Sequence, residues 1–157
     1  MSTALSTSNR LGSWVAFLRA HSAITRQLNA DLLAGHGLTL NDYEVLLHLH
    51  HAADRMMRRV DLAQSVVLTA SGITRLLDGL ERSGLVEKAS CAKDARVSYA
   101  KLTESGSKKL SEAAVTHRAG IEELFTSRFA GAELETLAEL LSRLPLSGKD
   151  CGERSCG

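Results

Sequence analysis

The sequence is poor in the features that would anchor, staple or export a chain. No run approaches the roughly eighteen apolar residues of a transmembrane helix, so no membrane span is expected. The stretch Met1–Asn9 is rich in Ser and Thr and lacks the basic-then-apolar pattern of a secretory signal. A cytoplasmic protein is the expectation. Three cysteines, Cys91, Cys151 and Cys156, are an odd number and make no disulfide framework. There is no internal repeat. Nor is there a nucleophile elbow, P-loop, dinucleotide fingerprint or zinc-protease pattern, so neither an enzyme nor a bound cofactor is expected. Six histidines include His48, His50 and His51, but no carboxylate or cysteine stands at a second ligand spacing, and no metal site is expected.

What is present is an uneven distribution of charge. The net charge of the 157 residues is +1. Residues 1–54 carry 3 Lys/Arg and 4 Asp/Glu, residues 55–110 carry 11 and 6, and residues 111–157 carry 5 and 8. A basic middle between acidic ends fits a nucleic-acid module.

Apolar spacing predicts a long helix over residues 10–34, through Leu11, Trp14, Val15, Leu18, Ile24, Leu28 and Leu32, ended by Gly35 and Gly37. Thr39 with Asp42 predicts a capping box for a second helix through Leu49. A short third helix is expected near residues 61–67 and a fourth from Thr69 to Gly84. The period then shortens. Strands are expected at residues 85–89 and 97–102, joined by a polar loop from Ser90 to Arg96. Thr103 caps a fifth helix, and a last helix through Leu134, Leu137, Leu141 and Leu144 is stopped by the only proline, Pro145. Residues 146–157 are expected to be disordered.

The fourth helix has two chemically different sides. Ile73, Leu76, Leu77 and Leu80 form one apolar stripe, and Ser71, Thr74, Arg75, Asp78 and Arg82 fall opposite. A helix that enters a major groove needs an anchored back and a front of short hydrogen-bonding groups with an Arg fork. The loop that follows offers Lys93 and Arg96 on a thin ribbon able to reach a minor groove, with Asp94 placed to orient Arg96 by a charge-assisted pair.

The run from Leu76 to Val86, Asp94-Ala95-Arg96, and then Leu102-Thr103-Glu104-Ser105-Gly106 resemble the signature of the MarR (multiple antibiotic resistance regulator) family: a helix ending LxxLExxGLV, a DxR wing tip and an LTxxG helix start. The resemblance covers residues 10–145. It implies a mainly α fold with a β wing: a winged helix-turn-helix lobe over residues 38–103, with N- and C-terminal helices (residues 10–36 and 104–145) forming a two-fold dimer interface and residues 1–9 flexible. It further implies that Ser71, Thr74 and Arg75 face the major groove while Arg96 reaches the minor groove. Thr69, Arg58 and Arg59 are candidates for phosphate contact, the two arginines standing where the family usually opens the third helix with Ser or Thr. In such proteins effectors bind between the dimerisation helices and the DNA-binding lobe. Trp14, Arg19 and His21 on the first helix and His117 on the fifth are the candidate pocket residues.

A dimer also follows from the apolar stripes of the first and last two helices, which a small DNA-binding lobe cannot bury alone. An isologous interface covers both copies at once and sets two recognition helices about 34 Å apart, one turn of B-DNA. The expected function is a ligand-responsive repressor that binds double-stranded DNA at a pseudo-palindromic operator as a homodimer. The alternatives are a thiol-based redox-sensing regulator, for which Cys91 beside Lys93 and Arg96 is the candidate, and a protein-interaction dimer that has lost DNA specificity.

Overall fold

The computed structural model describes residues 7–66 and 68–145. Six α-helices and three strands follow in the order α1 (Thr7–His36), α2 (Leu40–His51), β1 (Met56–Arg58), α3 (Arg59–Ser65), α4 (Ala70–Arg82), β2 (Val86–Cys91), β3 (Asp94–Leu102), α5 (Glu104–Leu124) and α6 (Gly131–Leu141). Short 3₁₀ turns at Ala53–Arg55 and Thr126–Arg128 link α2 to β1 and α5 to α6. The mainly α architecture with a small antiparallel sheet is the fold class expected. The expectations for residues 1–6 and for the tail from 146 lie outside the described residues.

Capping chemistry sets several boundaries. Thr39 Oγ1 accepts from the Asp42 N–H at 3.0 Å while Asp42 Oδ2 accepts from the Thr39 N–H at 2.8 Å, the reciprocal box that starts α2. Thr69 caps α4 by accepting from the Gly72 N–H, and Thr103 caps α5 by accepting from the Gly106 N–H. α1 differs from expectation at both ends. It already starts at Thr7, so residues 7–9 are helical, and it runs through Gly35 to His36.

The sheet also departs from a plain hairpin. β1, too short to show a period, pairs antiparallel with β3, and the order is β1-β3-β2. The strands of the wing run through most of the stretch expected as a loop, leaving Ala92 and Lys93 as the turn. Register slips at Ser90/Cys91. Such a bulge accommodates a tight turn in which no residue has positive φ.

One core joins these elements. Leu32 of α1, Leu46 and Leu49 of α2, Leu62 of α3, Leu77 of α4, Val86 of β2, Ala100 of β3, and Leu110 and Ala113 of α5 are buried in a single cluster. α5 is held against the start of β2 by close backbone approach. A Cβ on Gly106 would overlap the Leu85 carbonyl oxygen, so only glycine fits there. Thr103 Oγ1 reinforces the contact by donating to the Gly84 carbonyl at 2.6 Å, and Gly84 itself takes φ +73° to turn the chain from α4 into β2.

The opposite end of the molecule is left bare. Residues 11–23 are exposed throughout, including Leu11, Trp14, Val15, Phe17 and Leu18. Val115, Phe129, Leu140 and Leu144 are exposed as well.

Candidate nucleic-acid interface

α4 is fixed along one side only. Ile73, Leu77 and Leu80 are buried, Leu76 packs partly against the same core, and Ser71, Thr74, Arg75, Asp78 and Arg82 lie on the open side. The arrangement follows from the helical period, because the two sets lie on opposite sides at about 100° per residue. Hydroxyl protons on the open side are partly committed. Thr74 Oγ1 donates to the Ala70 carbonyl at 2.9 Å, so its oxygen lone pairs and methyl group remain for a base edge. Ser71 Oγ lies 3.3 Å from Thr69 Oγ1. Arg82 Nε donates to the Asp78 carbonyl at 3.2 Å. Among the described residues Arg75 forms no ion pair within the chain, and neither does the Asp78 carboxylate.

The wing supplies the second group of cations. Lys93, Asp94 and Arg96 are exposed at its tip. The expected side-chain pair between Asp94 and Arg96 is not formed. Asp94 Oδ1 instead accepts from the Arg96 backbone N–H at 3.0 Å, a local turn bond that shapes the ribbon and leaves the guanidinium in no ion pair among the described residues. Cys91, at the bulge beside this turn, is 7% exposed and disulfide-bonded. Cys151 and Cys156 lie outside the described residues.

The two arginines expected at phosphate are occupied within the chain. Arg58 Nε and Nη2 donate to the two Asp61 carboxylate oxygens at 2.7 and 2.9 Å, a bidentate pair where α3 has no side-chain cap. Arg59 Nη2 donates to Glu81 Oε1 at 2.5 Å, with both side chains only 17% exposed. Glu81 also stands 3.8 Å from Lys88 Nζ, so it ties α3 and β2 to α4. The Arg59–Glu81 pair ties α3 to α4, whereas the Arg58–Asp61 pair lies within the start of α3. Thr69, the third candidate, is exposed at the α4 N-terminus.

The four candidate pocket residues are not brought together within one chain. His36 Nε2 is hydrogen-bonded to Thr116 Oγ1 at 2.8 Å, which places His117 beside the C-terminal end of α1. His21 is fifteen residues earlier on the same helix, about 22 Å away at 1.5 Å per residue, and Arg19 and Trp14 are further still. Trp14, Phe17 and His21 instead make an exposed ladder of rings with centroids 6.1 and 6.4 Å apart. Among the described residues no group of three or more His, Cys, Asp or Glu could hold a metal ion, and no helix is long and apolar enough to cross a membrane.

With this geometry in view, comparisons with known proteins decide the relationship. A profile of the MarR family matches residues 36–97. AbsC of Streptomyces coelicolor, a MarR family transcriptional regulator, is 30% identical, with a TM-score of 0.81 over 90% of this chain and 95% of that one. The chain belongs to the MarR family. The transcriptional regulator MhqR of Bacillus subtilis (strain 168) is 29% identical over 91% of this chain and 96% of its own length. A point mutant of MarR from E. coli, solved in complex with operator DNA, is 25% identical, with a TM-score of 0.75 over 90% of this chain and all of that one.

Sequence reasoning had no signal for the ring contact at the α2–α5 junction. His117 packs on the buried Tyr43 with centroids 4.5 Å apart, and His117 Nδ1 is buried without a partner among the described residues. Burial lowers the His117 pKa from its ordinary value, and burial raises that of Tyr43 against the opposing pull of Arg118. The unfolded chain therefore binds a proton at His117 before the folded chain does. Stability contributed by the neutral ring is present above about pH 6.5 and is lost as pH falls below it. His117→Phe removes that titration. The expected outcome is that urea midpoints measured at about pH 7.5 and about pH 5.5 differ less in the variant than in the wild type. An equal difference in both would show that His117 does not carry the pH dependence.

Proposed function

We infer that this MarR-family protein binds DNA sequence-specifically as a homodimer and represses transcription from a pseudo-palindromic operator until a small-molecule effector releases it. The observation that carries this reading is the solvent-exposed front of α4, where Ser71, Thr74 and Arg75, the last in no ion pair among the described residues, stand over a back buried in the core. The first-turn N–H groups of α4 and the capping Thr69 suit a phosphate at the groove edge. The wing tip, with Lys93 and Arg96, suits the flanking minor groove. A relative of 25% identity solved on operator DNA supports the same docking.

Arg75→Ala is expected to weaken operator binding by about 1–3 kcal/mol, concentrated at one base pair of each half-site. Fluorescence anisotropy against a panel of single-base operator variants measures it. A loss of equal size on every sequence would reassign Arg75 to phosphate. Equal wild-type affinity for random DNA and for the gene's own upstream region would favour the protein-interaction alternative.

The bare apolar residues of α1, with Val115, Phe129, Leu140 and Leu144, form the surface that a second copy would cover. Leu18→Glu should convert a dimer into a single-chain species by sedimentation velocity at micromolar concentration. A wild type that sediments as one chain under those conditions would end the homodimer reading.

A redox-responsive regulator is favoured by one observation, the disulfide at Cys91 beside the wing turn. Reduction by two electrons and two protons, delivered by a cellular dithiol, would free the ribbon that carries Lys93 and Arg96. The expected result is that operator affinity differs between oxidised and dithiothreitol-treated wild type but not in Cys91→Ser. Identical affinities for the two wild-type forms would dispose of it.

A further inference from the structure

We propose that the segment after Pro145 is fastened to the wing by a disulfide between Cys91 and either Cys151 or Cys156, and that it covers the ribbon beside Lys93 and Arg96 while the bond is intact. Cys91 is disulfide-bonded. The sequence holds two other cysteines, Cys151 and Cys156, and both follow Pro145. The bond within one chain therefore joins the wing to that segment. Residues 146–157 have the reach for it. Extended, they span about 40 Å, comparable with the diameter of a compact chain of this size.

The burial of Cys91 points the same way. It ends β2, at the slipped register beside the turn, and is 7% exposed. Its neighbours Ser90, Ala92, Lys93, Asp94, Ala95 and Arg96 are all exposed. The tip of a two-stranded ribbon has no layer of helices behind it. Cys91 is also absent from the cluster of buried side chains that joins the helices to the sheet. The core therefore does not cover this thiol position, and the segment bonded to it does.

The consequence for DNA is steric, and it rests on the redox-responsive reading although the cysteine pairing does not. A minor groove is about 6 Å wide and adjacent extended chains lie about 4.8 Å apart, so a ribbon tip that carries an added segment is too thick to enter. The added segment brings no net positive charge in compensation, since Lys149 and Arg154 are matched by Asp150 and Glu153. The front of α4 stays open. The fastened form therefore reads the operator through α4, and the released form adds Lys93 and Arg96 at the flanks. Release takes one dithiol. Its first thiolate attacks one sulfur of the bridge, the other sulfur leaves and takes up a proton, and the second thiol resolves the mixed disulfide. Two protein thiols and one oxidised dithiol result.

Trypsin places the three cysteines in separate peptides, residues 89–93, 150–154 and 155–157. The full chain, equilibrated with oxidised glutathione, alkylated and digested without reduction, should yield residues 89–93 joined to one of the other two in the mass spectrum. Residues 89–93 recovered alkylated, or joined to a second copy of themselves, would overturn the pairing. Operator affinity by fluorescence anisotropy should rise roughly tenfold on treatment with dithiothreitol, with the gain confined to operators that have A·T-rich flanks. C151S/C156S should bind like the reduced wild type under both conditions. A dithiothreitol response that persists in C151S/C156S would overturn the covering segment while the redox-responsive reading stood. A mapped cross-link with no change in affinity would overturn the consequence for DNA, and the redox-responsive reading with it, and leave the fastening in place.

Discussion

The structure depends on burial of one side of a thirteen-residue helix. Ile73, Leu77 and Leu80 anchor α4 in a core built by α2, α3, the sheet and the first half of α5. Each such side chain contributes about 1.5–3 kcal/mol when withdrawn from water. A helix of this length is marginal in isolation, so its orientation is set by the packing of its back. The front is then free of structural duty. That separation leaves Ser71, Thr74 and Arg75 open to solvent with no core to maintain. Arg59 and Glu81 complete the anchoring from the side. Their near-buried pair holds α3 to α4, and Lys88 extends the network to the wing.

α5 belongs to two parts of the molecule. Its first turns are locked to the α4–β2 turn through Thr103 and Gly106, and Leu110 and Ala113 lie in the common core. Further along, Gly120 approaches Leu28 of α1 so closely that a Cβ would come within 2.7 Å of its side chain. His117, between these regions, rests on Tyr43 of α2. One continuous helix thus contacts both α1 and the turn between α4 and β2.

Much of this is legible in the sequence because its signals are local. The Thr39–Asp42 box, the Thr103 cap and the two sides of α4 each occupy a single helical segment, and each appears where the spacing puts it. β1 is not legible, because three residues cannot display an alternating period, and its pairing with β3 joins positions more than forty residues apart. The length of the wing is hidden because Ser90, Asp94 and Arg96 look like loop residues, whereas β-pairing along an exposed ribbon tolerates polar side chains. The acceptor of Arg59, Glu81, is not visible from spacing because it meets the guanidinium only once α3 and α4 are folded against each other, whereas the Arg58–Asp61 pair is a local i,i+3 contact that the reading of the sequence passes over.

The bare N-terminal half of α1 has a consequence for the lifetime of the protein. Residues 11–23 are exposed throughout, so little burial among the described residues supports their helix. If a second copy covers them, a solitary chain presents a frayed, leucine- and tryptophan-bearing arm to cellular proteases, and assembled copies do not. Degradation would then remove unassembled chains selectively, and the steady level of the regulator would be set by pairing as much as by its rate of synthesis.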